Sequence, residues 1–157
     1  MSHLIFVKTN IWNSQHICQS VYNEGVARHV KSFDLVVLFA SLADPTRLRL
    51  LNLMTGREVC VCYFVEILKQ NQPKISRHLA YLRNAGIVSA RREGKWMHYS
   101  IHRPDDLAAN SILDAVFATF GDNREMQADL SRLDGACCEP QRLVALQGAP
   151  VPILLTA

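Results

Sequence analysis

Apolar side chains recur at helical spacing from about residue 33 onward. The apolar run 35–42 predicts a helix. Asp44 and Pro45 then predict a new start, because aspartate caps a helix well and proline has no N–H to leave unpaired at the first position. The helix that follows, residues 47–54, has its leucines along one side, and Gly56 predicts its end.

Two further helices joined by a short turn are predicted over residues 59–85. The first opens with Cys60 and Cys62 and continues as an apolar run to Leu68, whose spacing fits a helix better than the alternation of a strand. Three polar residues then interrupt the pattern, and Pro73 suits the first position of the second helix. The pattern predicts a helix-turn-helix.

The second of these helices has one apolar side. Ile75, Leu79 and Leu82 recur at the spacing of a single buried stripe. The other positions point outward and carry side chains that can donate to phosphates or, for several of them, to base edges in a major groove. These positions are Gln72, Lys74, Ser76, Arg77, His78 and Tyr81.

A β-hairpin is predicted over residues 87–101. Two short runs rich in β-forming residues flank a turn at residues 93–95. A hairpin that directly follows a helix-turn-helix is the wing of a winged helix, and this one carries Arg91, Arg92 and Lys95 near its tip. The fold class is therefore mainly α with a small β-hairpin, a winged helix-turn-helix.

Positive charge is concentrated on this module. Residues 72–103 carry seven lysines and arginines against Glu93 alone, whereas the formal net charge of the whole chain is only +3. This distribution is the electrostatic footprint of duplex DNA binding. We predict Gln72, Lys74, Ser76, Arg77 and His78 as the recognition face, with Arg91, Arg92 and Lys95 on the phosphates.

Three parts follow from the pattern along the rest of the chain. A helix is predicted over residues 105–120 and a shorter one over 124–133, after which Gly135 to Pro140 break the pattern and the last fifteen or so residues predict a loose tail. The first residues are polar and weakly periodic. The predicted parts are an N-terminal arm over residues 1–30, a winged helix domain over 31–121 and a C-terminal extension over 122–157.

Length and composition narrow the class further. A chain of 157 residues, 49% hydrophobic, can form one globular domain with a core of its own. No apolar run approaches the roughly 20 residues of a membrane span, and the N-terminal sequence is a poor signal peptide. We expect a cytosolic protein with no membrane partner.

Three blocks of this sequence resemble the ArsR/SmtB family of metal-responsive winged-helix repressors. They are LFASLADPTRLRLLNLM, REVCVCYFVEIL and QPKISRHLAYLRNAGIVSARREGKWMHYSI, in the order and spacing of the family. The resemblance covers about residues 33–103. It implies a homodimer that binds an inverted-repeat DNA operator and is released when metal binds, with the helix before Asp44 and a helix after the wing at the dimer interface.

Five cysteines, two pairs of them close in sequence, carry the candidate chemistry. In a regular helix Cys60 and Cys62 would lie about 200° apart, so one ion could bind both only if the first turn unwinds. The positive helix N-terminus and Arg57 both favour thiolates near neutral pH. Thiolates select soft or borderline ions: copper(I), zinc, cadmium, or trivalent arsenic and antimony. The five are Cys18, Cys60, Cys62, Cys137 and Cys138.

The resemblance favours trivalent arsenic or antimony as the inducer, with no catalytic cofactor. Arsenite sensors of the family share the Cys-Val-Cys, but many add a third cysteine where this chain has Val65. Cys137 or Cys138 is then the best third sulfur donor, with Cys18 as the rival that a four-sulfur cadmium or lead site would use. A redox switch at either close pair is the remaining alternative.

Two other classes do not fit the sequence. The zinc site of the family uses histidines on the helix after the wing, and residues 105–120 contain none. An arsenate reductase or small phosphatase needs an arginine six residues after its cysteine, and no cysteine at 60, 62, 137 or 138 has one. We expect a regulator and not an enzyme.

Overall fold

Polar side chains cap the helices where the sequence predicts that they begin. In the computed structural model, which describes residues 33–138 and 146–155, Asp44 accepts a hydrogen bond from the Arg47 N–H at 2.9 Å and Asp106 accepts one from Ala109 at 2.8 Å. Asn71 caps in the same way the helix Gln72–Asn84, the second helix of the helix-turn-helix and hereafter the recognition helix. That part of the chain contains six helices: α1 (Leu35–Leu42), α2 (Pro45–Met54), α3 (Val61–Leu68), α4 (Gln72–Asn84), α5 (Leu107–Ala118) and α6 (Arg124–Cys138).

Gly86 ends α4 and turns the chain into the wing. Its φ of +71° is a left-handed conformation that glycine adopts without strain. The Gly86 N–H donates to Arg83 O at 2.9 Å and the Ile87 N–H to Leu82 O at 3.2 Å, which together form a Schellman C-cap. The wing therefore leaves the recognition helix in a defined direction.

A four-stranded antiparallel sheet has the strand order β2-β3-β1-β4. The predicted hairpin is confirmed as β2 (Val88–Glu93) and β3 (Trp96–Ile101), joined at Gly94, whose φ is +57°. The sequence did not predict β1 (Arg57–Cys60) or β4 (Ile153–Leu154). Both are short, and each is stabilised by hydrogen bonds to strands distant in sequence.

The core lies between the helices and one face of this sheet. The predicted stripe of α4 is confirmed, since Ile75, Leu79 and Leu82 are fully buried. Side chains from α2 and α3 complete the same cluster. At about 25 cal/mol per Å² of apolar surface removed from water, burial of each such side chain contributes about 2 kcal/mol. No helix among the described residues is long and apolar enough to cross a bilayer.

The C-terminal extension is more ordered than its sequence predicts. The predicted break at Gly135 is wrong, because α6 continues to Cys138, and packing of Ala136 against the core opposes the roughly 1 kcal/mol that a helical glycine costs. The prediction of a loose tail is wrong for residues 146–155. Leu146 is fully buried, and β4 pairs with the outer edge of β1.

A buried ion pair joins α6 to α2. Arg49 of α2 binds the carboxylate of Asp129 through Nε at 2.6 Å and Nη2 at 2.8 Å, and the Asp129 side chain is fully buried. Beside it, the Asn52 side chain donates to Met126 O at 2.9 Å. Bidentate geometry and burial make this pair the main polar attachment of α6.

We expect Asp129→Asn to lower the free energy of unfolding by about 3 kcal/mol, because it removes the buried counter-charge of a partly buried guanidinium and leaves only the exposed Glu125 beside it. Urea denaturation followed by circular dichroism measures the loss. Glu125→Gln is the matched control, because Glu125 binds the same arginine at 2.8 Å but its side chain is 61% exposed. The control should cost less than about 1 kcal/mol, and equal losses in both variants would contradict the prediction.

Candidate thiol centre and nucleic-acid interface

Cys60 and Cys62 lie on different elements of secondary structure. Cys60 is the last residue of β1 and precedes α3 with extended backbone angles, φ −71° and ψ 144°, whereas Cys62 lies in the first turn of the helix. Their Sγ atoms are 2.9 Å apart. The sequence predicts a helix that opens with Cys60, whereas α3 begins at Val61. The separation of about 200° that a regular helix gives therefore does not apply, because Cys60 is extended and its side chain is turned toward Cys62.

Cys60 has the more acidic thiol of the two. Its pKa is lowered to about 7, first because the Cys62 thiol donates a hydrogen bond to its sulfur, and also because backbone N–H groups, including that of Met97, face it; burial acts against both. The pKa of Cys62 is raised because it is the donor and is itself half-buried. Near neutral pH the Cys60 thiol is therefore partly ionised, beside a Cys62 thiol that keeps its proton.

A third thiol, Cys137, lies on α6, which packs against α2 and α3. Arg57 Nη1 donates to Asp134 Oδ1 at 2.9 Å, and Asp134 is one helical turn before Cys137 on the same face. Cys137 is half-buried against the core and Cys138 is exposed. Burial raises the pKa of the Cys137 thiol. These contacts place Cys137 on the same side of the molecule as the Cys60–Cys62 pair.

Tyr63 is close enough to all three thiols for their charge to affect it. Its hydroxyl is buried and makes no hydrogen bond within the part of the chain that the structure describes. Its pKa is raised to about 12, first by burial and then by negative charge on Cys137, Cys62 and Cys60. In residues 33–138 and 146–155 no three Cys, His, Asp or Glu side chains are yet close enough together to hold a metal ion. The predicted ligands in these residues therefore divide into the close pair Cys60–Cys62 and the two thiols of α6, Cys137 and Cys138, whereas Cys18 lies outside them.

The exposed face of α4 carries four of the eight predicted DNA contacts. Gln72, Lys74 and Arg77 are exposed, and Ser76 is half-buried. Tyr81, also predicted to face outward, is 57% exposed, and the Arg47 guanidinium stacks 5.2 Å from its ring centroid. This face is free to enter a groove.

His78 does not share that face. Its side chain is 13% exposed, and its Nδ1 lies 3.4 Å from Asp44 Oδ1 at the start of α2. Burial, together with the nearby cations Arg47, Lys74 and Arg77, lowers its pKa more than Asp44 raises it. The prediction that His78 points outward is wrong, because its position on the helix turns it toward the α2 cap.

The wing separates the three predicted phosphate contacts into two groups. Arg92 Nε donates to Gly94 O at 3.0 Å, and Lys95 Nζ lies 4.7 Å from the Trp96 ring centroid; neither has a carboxylate partner within the described residues. Arg91 instead binds Glu58 Oε1 at 2.6 Å and Glu93 Oε2 at 2.8 Å. Its charge is therefore already balanced inside the protein.

Sequence reasoning missed two polar residues beside the thiol pair. Glu58 lies two residues before Cys60 in β1, and His98 is the register partner of Cys60 in β3, with a side chain that is 1% exposed. From the sequence, His98 is an ordinary polar residue or a phosphate neighbour on or beside the wing, whereas its side chain is buried. Without knowledge of β1, no local signal links either residue to the thiols.

We expect Cys62→Ala to raise the pKa of Cys60 from about 7 toward its usual range, because the substitution removes the thiol that donates to its sulfur. A lowered pKa means that the thiolate persists above pH 7 and is lost as the pH falls below it. The ultraviolet absorbance of thiolates, titrated in wild type and variant, measures the shift, with Cys138→Ala as the control. If the Cys60 thiolate still forms at the same pH in Cys62→Ala, the backbone N–H groups alone stabilise it.

Comparison with known proteins places this geometry in a family. A family model described as "Bacterial regulatory protein, arsR family" matches residues 44–90. The chain is 49% identical over 67 residues to the arsenic resistance transcriptional regulator ArsR1 of Pseudomonas putida, covering 42% of this chain and 52% of that protein, about half its length. It is 45% identical over 83 residues to the arsenical resistance operon repressor of Escherichia coli, covering 52% of this chain and 71% of that protein.

A solved structure supports the fold. HlyU from Vibrio cholerae has a TM-score of 0.50 and 25% sequence identity to this chain, and the match covers 59% of this chain and 98% of that one. The segment matched by the family model contains α2, β1, α3, α4 and the start of the wing, which is also where the cysteine pair and the exposed basic face lie. The chain belongs to the arsR family of bacterial regulatory proteins, a family of transcriptional regulators and not of enzymes.

Proposed function

We propose that this protein is a homodimeric repressor that binds an inverted-repeat operator and leaves it when trivalent arsenic or antimony binds its cysteine thiolates. The observation that carries the proposal is the thiol pair at the junction of β1 and α3, with sulfurs 2.9 Å apart at the start of the helix-turn-helix. A ligand held there acts on the element that positions the recognition helix.

The DNA-binding surface in this proposal combines α4 with the wing tip. Gln72, Lys74 and Arg77 enter the major groove, with Ser76 at the edge of the contact. Arg92 and Lys95 contact phosphates. His78 supports the helix from behind and adds no charge to the face, because its lowered pKa keeps it neutral at pH 7.

The dimer in this proposal forms through α1 and α5. On α1 an apolar surface faces solvent, with Val36 77% and Phe39 55% exposed, and on α5 Leu107 is 83% exposed. Clustered exposed apolar side chains of this kind mark an interaction surface. Two copies joined there would present two α4 helices to successive major grooves, roughly 34 Å apart.

Three sulfurs suit trivalent arsenic best. Each As–S bond forms when a thiol replaces a hydroxyl group of arsenous acid and the hydroxyl leaves as water, so no redox step is needed and no net charge enters. Cys60 and Cys62 supply two sulfurs, and we assign the third to Cys137 before Cys138. Cys137 is half-buried on the face that the Arg57–Asp134 pair turns toward β1, whereas Cys138 is exposed.

Two alternative functions remain distinguishable by experiment. A cadmium or lead sensor would draw a fourth sulfur from Cys18, which lies outside the described residues. A redox switch is favoured by the 2.9 Å approach of the two sulfurs: a peroxide would take two electrons and both protons or their equivalents from the thiols, a disulfide would form, and the peroxide would leave as water or an alcohol.

We expect Cys60→Ser and Cys62→Ser each to keep operator affinity and lose release by arsenite. Fluorescence anisotropy of the reduced protein on its promoter DNA, titrated in parallel with arsenite, antimonite, cadmium and lead, measures both properties. In wild type, a coupling free energy of about 1–3 kcal/mol between arsenite binding and DNA binding would weaken DNA binding roughly 5–150-fold. Loss of DNA binding in both variants would make these cysteines structural.

The same titration assigns the third sulfur. Cys137→Ser should lose most of the arsenite response, and Cys138→Ser should keep it. The reverse result would give the role to the exposed thiol. Release by cadmium or lead alone, abolished in Cys18→Ser, would support the four-sulfur alternative. Release by peroxide without any response to arsenite would support the redox alternative.

We expect Arg77→Gln to weaken operator binding by about tenfold, because it removes a charge-assisted contact from the exposed face of α4. Arg83→Gln is the matched control, since Arg83 lies on the last turn of the same helix. Anisotropy on operator and on unrelated duplex measures the loss. Equal effects of the two substitutions on both DNAs would show that Arg77 contributes only general charge.

A further inference from the structure

Arg91 is held by carboxylates on both sides of its guanidinium. Its Nη2 lies 2.6 Å from Glu58 Oε1 and its Nη1 lies 2.8 Å from Glu93 Oε2, and Nε adds longer contacts to both Glu58 oxygens at 3.3 and 3.4 Å. Charge-assisted bonds of this kind are the strong ones among side-chain hydrogen bonds. An arginine flanked by two carboxylates offers little net positive charge to a phosphate.

The contact between Arg91 and Glu58 crosses a strand. Arg91 lies on β2 and Glu58 on β1, and β3 lies between these two strands. The residue beneath the contact is His98, the register partner of both Arg91 and Cys60. Its Nδ1 is 3.8 Å from Glu58 Oε1 and its Nε2 is 3.9 Å from Glu93 Oε2. The ion pairs thus cover a buried imidazole and tie the outer strand of the wing to β1.

Glu58 is the more buried end of this link. Its side chain is 14% exposed, and its backbone lies in a strand that pairs with β3 on one side and with Ile153 of β4 on the other. The hydrogen bond from Arg91 lowers the pKa of Glu58, so the carboxylate is charged at neutral pH. Glu58 and Cys60 are two residues apart in one strand and face the same side of the sheet.

We propose that Glu58 is a positioning residue for DNA binding, which holds the wing through Arg91 and passes a displacement at Cys60 to the wing. Arg91 is then a structural link and not a phosphate contact, in contrast to Arg92 and Lys95. The transmission part rests on the proposed function, whereas the positioning part requires only that the protein binds DNA. A ligand at the thiols then changes DNA binding by two routes. One runs through α3 to α4, and the other runs through Glu58 to the wing.

The experiment is a double-mutant cycle on operator affinity. Glu58→Gln, Arg91→Gln and the double variant are measured by anisotropy at several salt concentrations. We expect each single variant to weaken binding roughly threefold, with no further loss in the double variant, because either substitution breaks the same link. The slope of log affinity against log salt should not change, because Arg91 releases no phosphate counterion.

Glu125→Gln is the matched control, since it removes one carboxylate from an arginine pair on α6, remote from the wing. It should leave affinity and slope unchanged. Thermal unfolding by circular dichroism checks that each variant is folded. Arg91→Lys keeps the charge but loses the paired contacts, so it should weaken binding as Arg91→Gln does if the link is structural.

A different pattern overturns the proposal. If Arg91→Gln lowers the salt slope by about one while Glu58→Gln strengthens binding, Arg91 is a phosphate contact that Glu58 masks. Additive losses would show that the two residues act separately, and normal affinity in all variants would show that the link does not position the wing.

The last measurement separates this inference from the proposed function. With arsenite, the weakening of DNA binding should be at least roughly threefold smaller in Glu58→Gln than in wild type. A normal arsenite response in the variant overturns transmission through Glu58 but leaves the proposed inducer standing. Absence of arsenite release in wild type contradicts the inducer, and the cycle without ligand still tests the positioning role.

Discussion

The pairing of β1 with β3 is the contact on which the candidate site depends. Only two residue pairs form it, Val59 with Tyr99 and Cys60 with His98. It keeps Cys60 extended at the point where α3 begins, and that extended conformation brings two sulfurs together which a continuous helix would hold apart. It also places Glu58 within hydrogen-bond distance of Arg91 in the wing. The thiol pair, the wing and the helix-turn-helix therefore all contact the C-terminal end of β1.

The C-terminal residues surround this strand from the other side. Tail strand β4 covers the outer edge of β1, and the Leu155 N–H donates to Gly56 O at 2.9 Å. Helix α6 adds the Arg57–Asp134 pair and the buried Arg49–Asp129 pair. An edge strand of four residues would otherwise expose unpaired backbone groups. In this chain the extension both covers that edge and carries Cys137, which acts on the same tyrosine, Tyr63, as the thiol pair does.

Electrostatics divides the basic module into groups with different roles. Arg91 and Arg103 are paired with carboxylates, the latter with Asp114 at 2.5 Å. The charges left for DNA lie on α4 and at the wing tip, and they face outward together. The outer cations have no carboxylate partner within the described residues, so they keep their long-range attraction for a duplex.

The sequence by itself determined the parts of this protein that local physics controls. Aspartate and asparagine caps, the α4 stripe and the left-handed glycine between the wing strands all act within a few residues, so the helix-turn-helix, the hairpin and the basic face could be predicted. The thiol chemistry predicted for Cys60 and Cys62 also rests on residue type alone, and it stays a prediction.

Only the tertiary structure decided how these parts combine. Strand β1 is only four residues long, too short to show a recognisable strand pattern in the sequence. It forms because it pairs with β3 and β4, which lie far along the chain. Arg91 finds Glu58 at a separation of 33 residues and Arg49 finds Asp129 at 80. His78 turned inward because α2 lies behind it. Such contacts depend on strand register and helix packing, which no local window contains, and they decide which charges are free and which thiols meet.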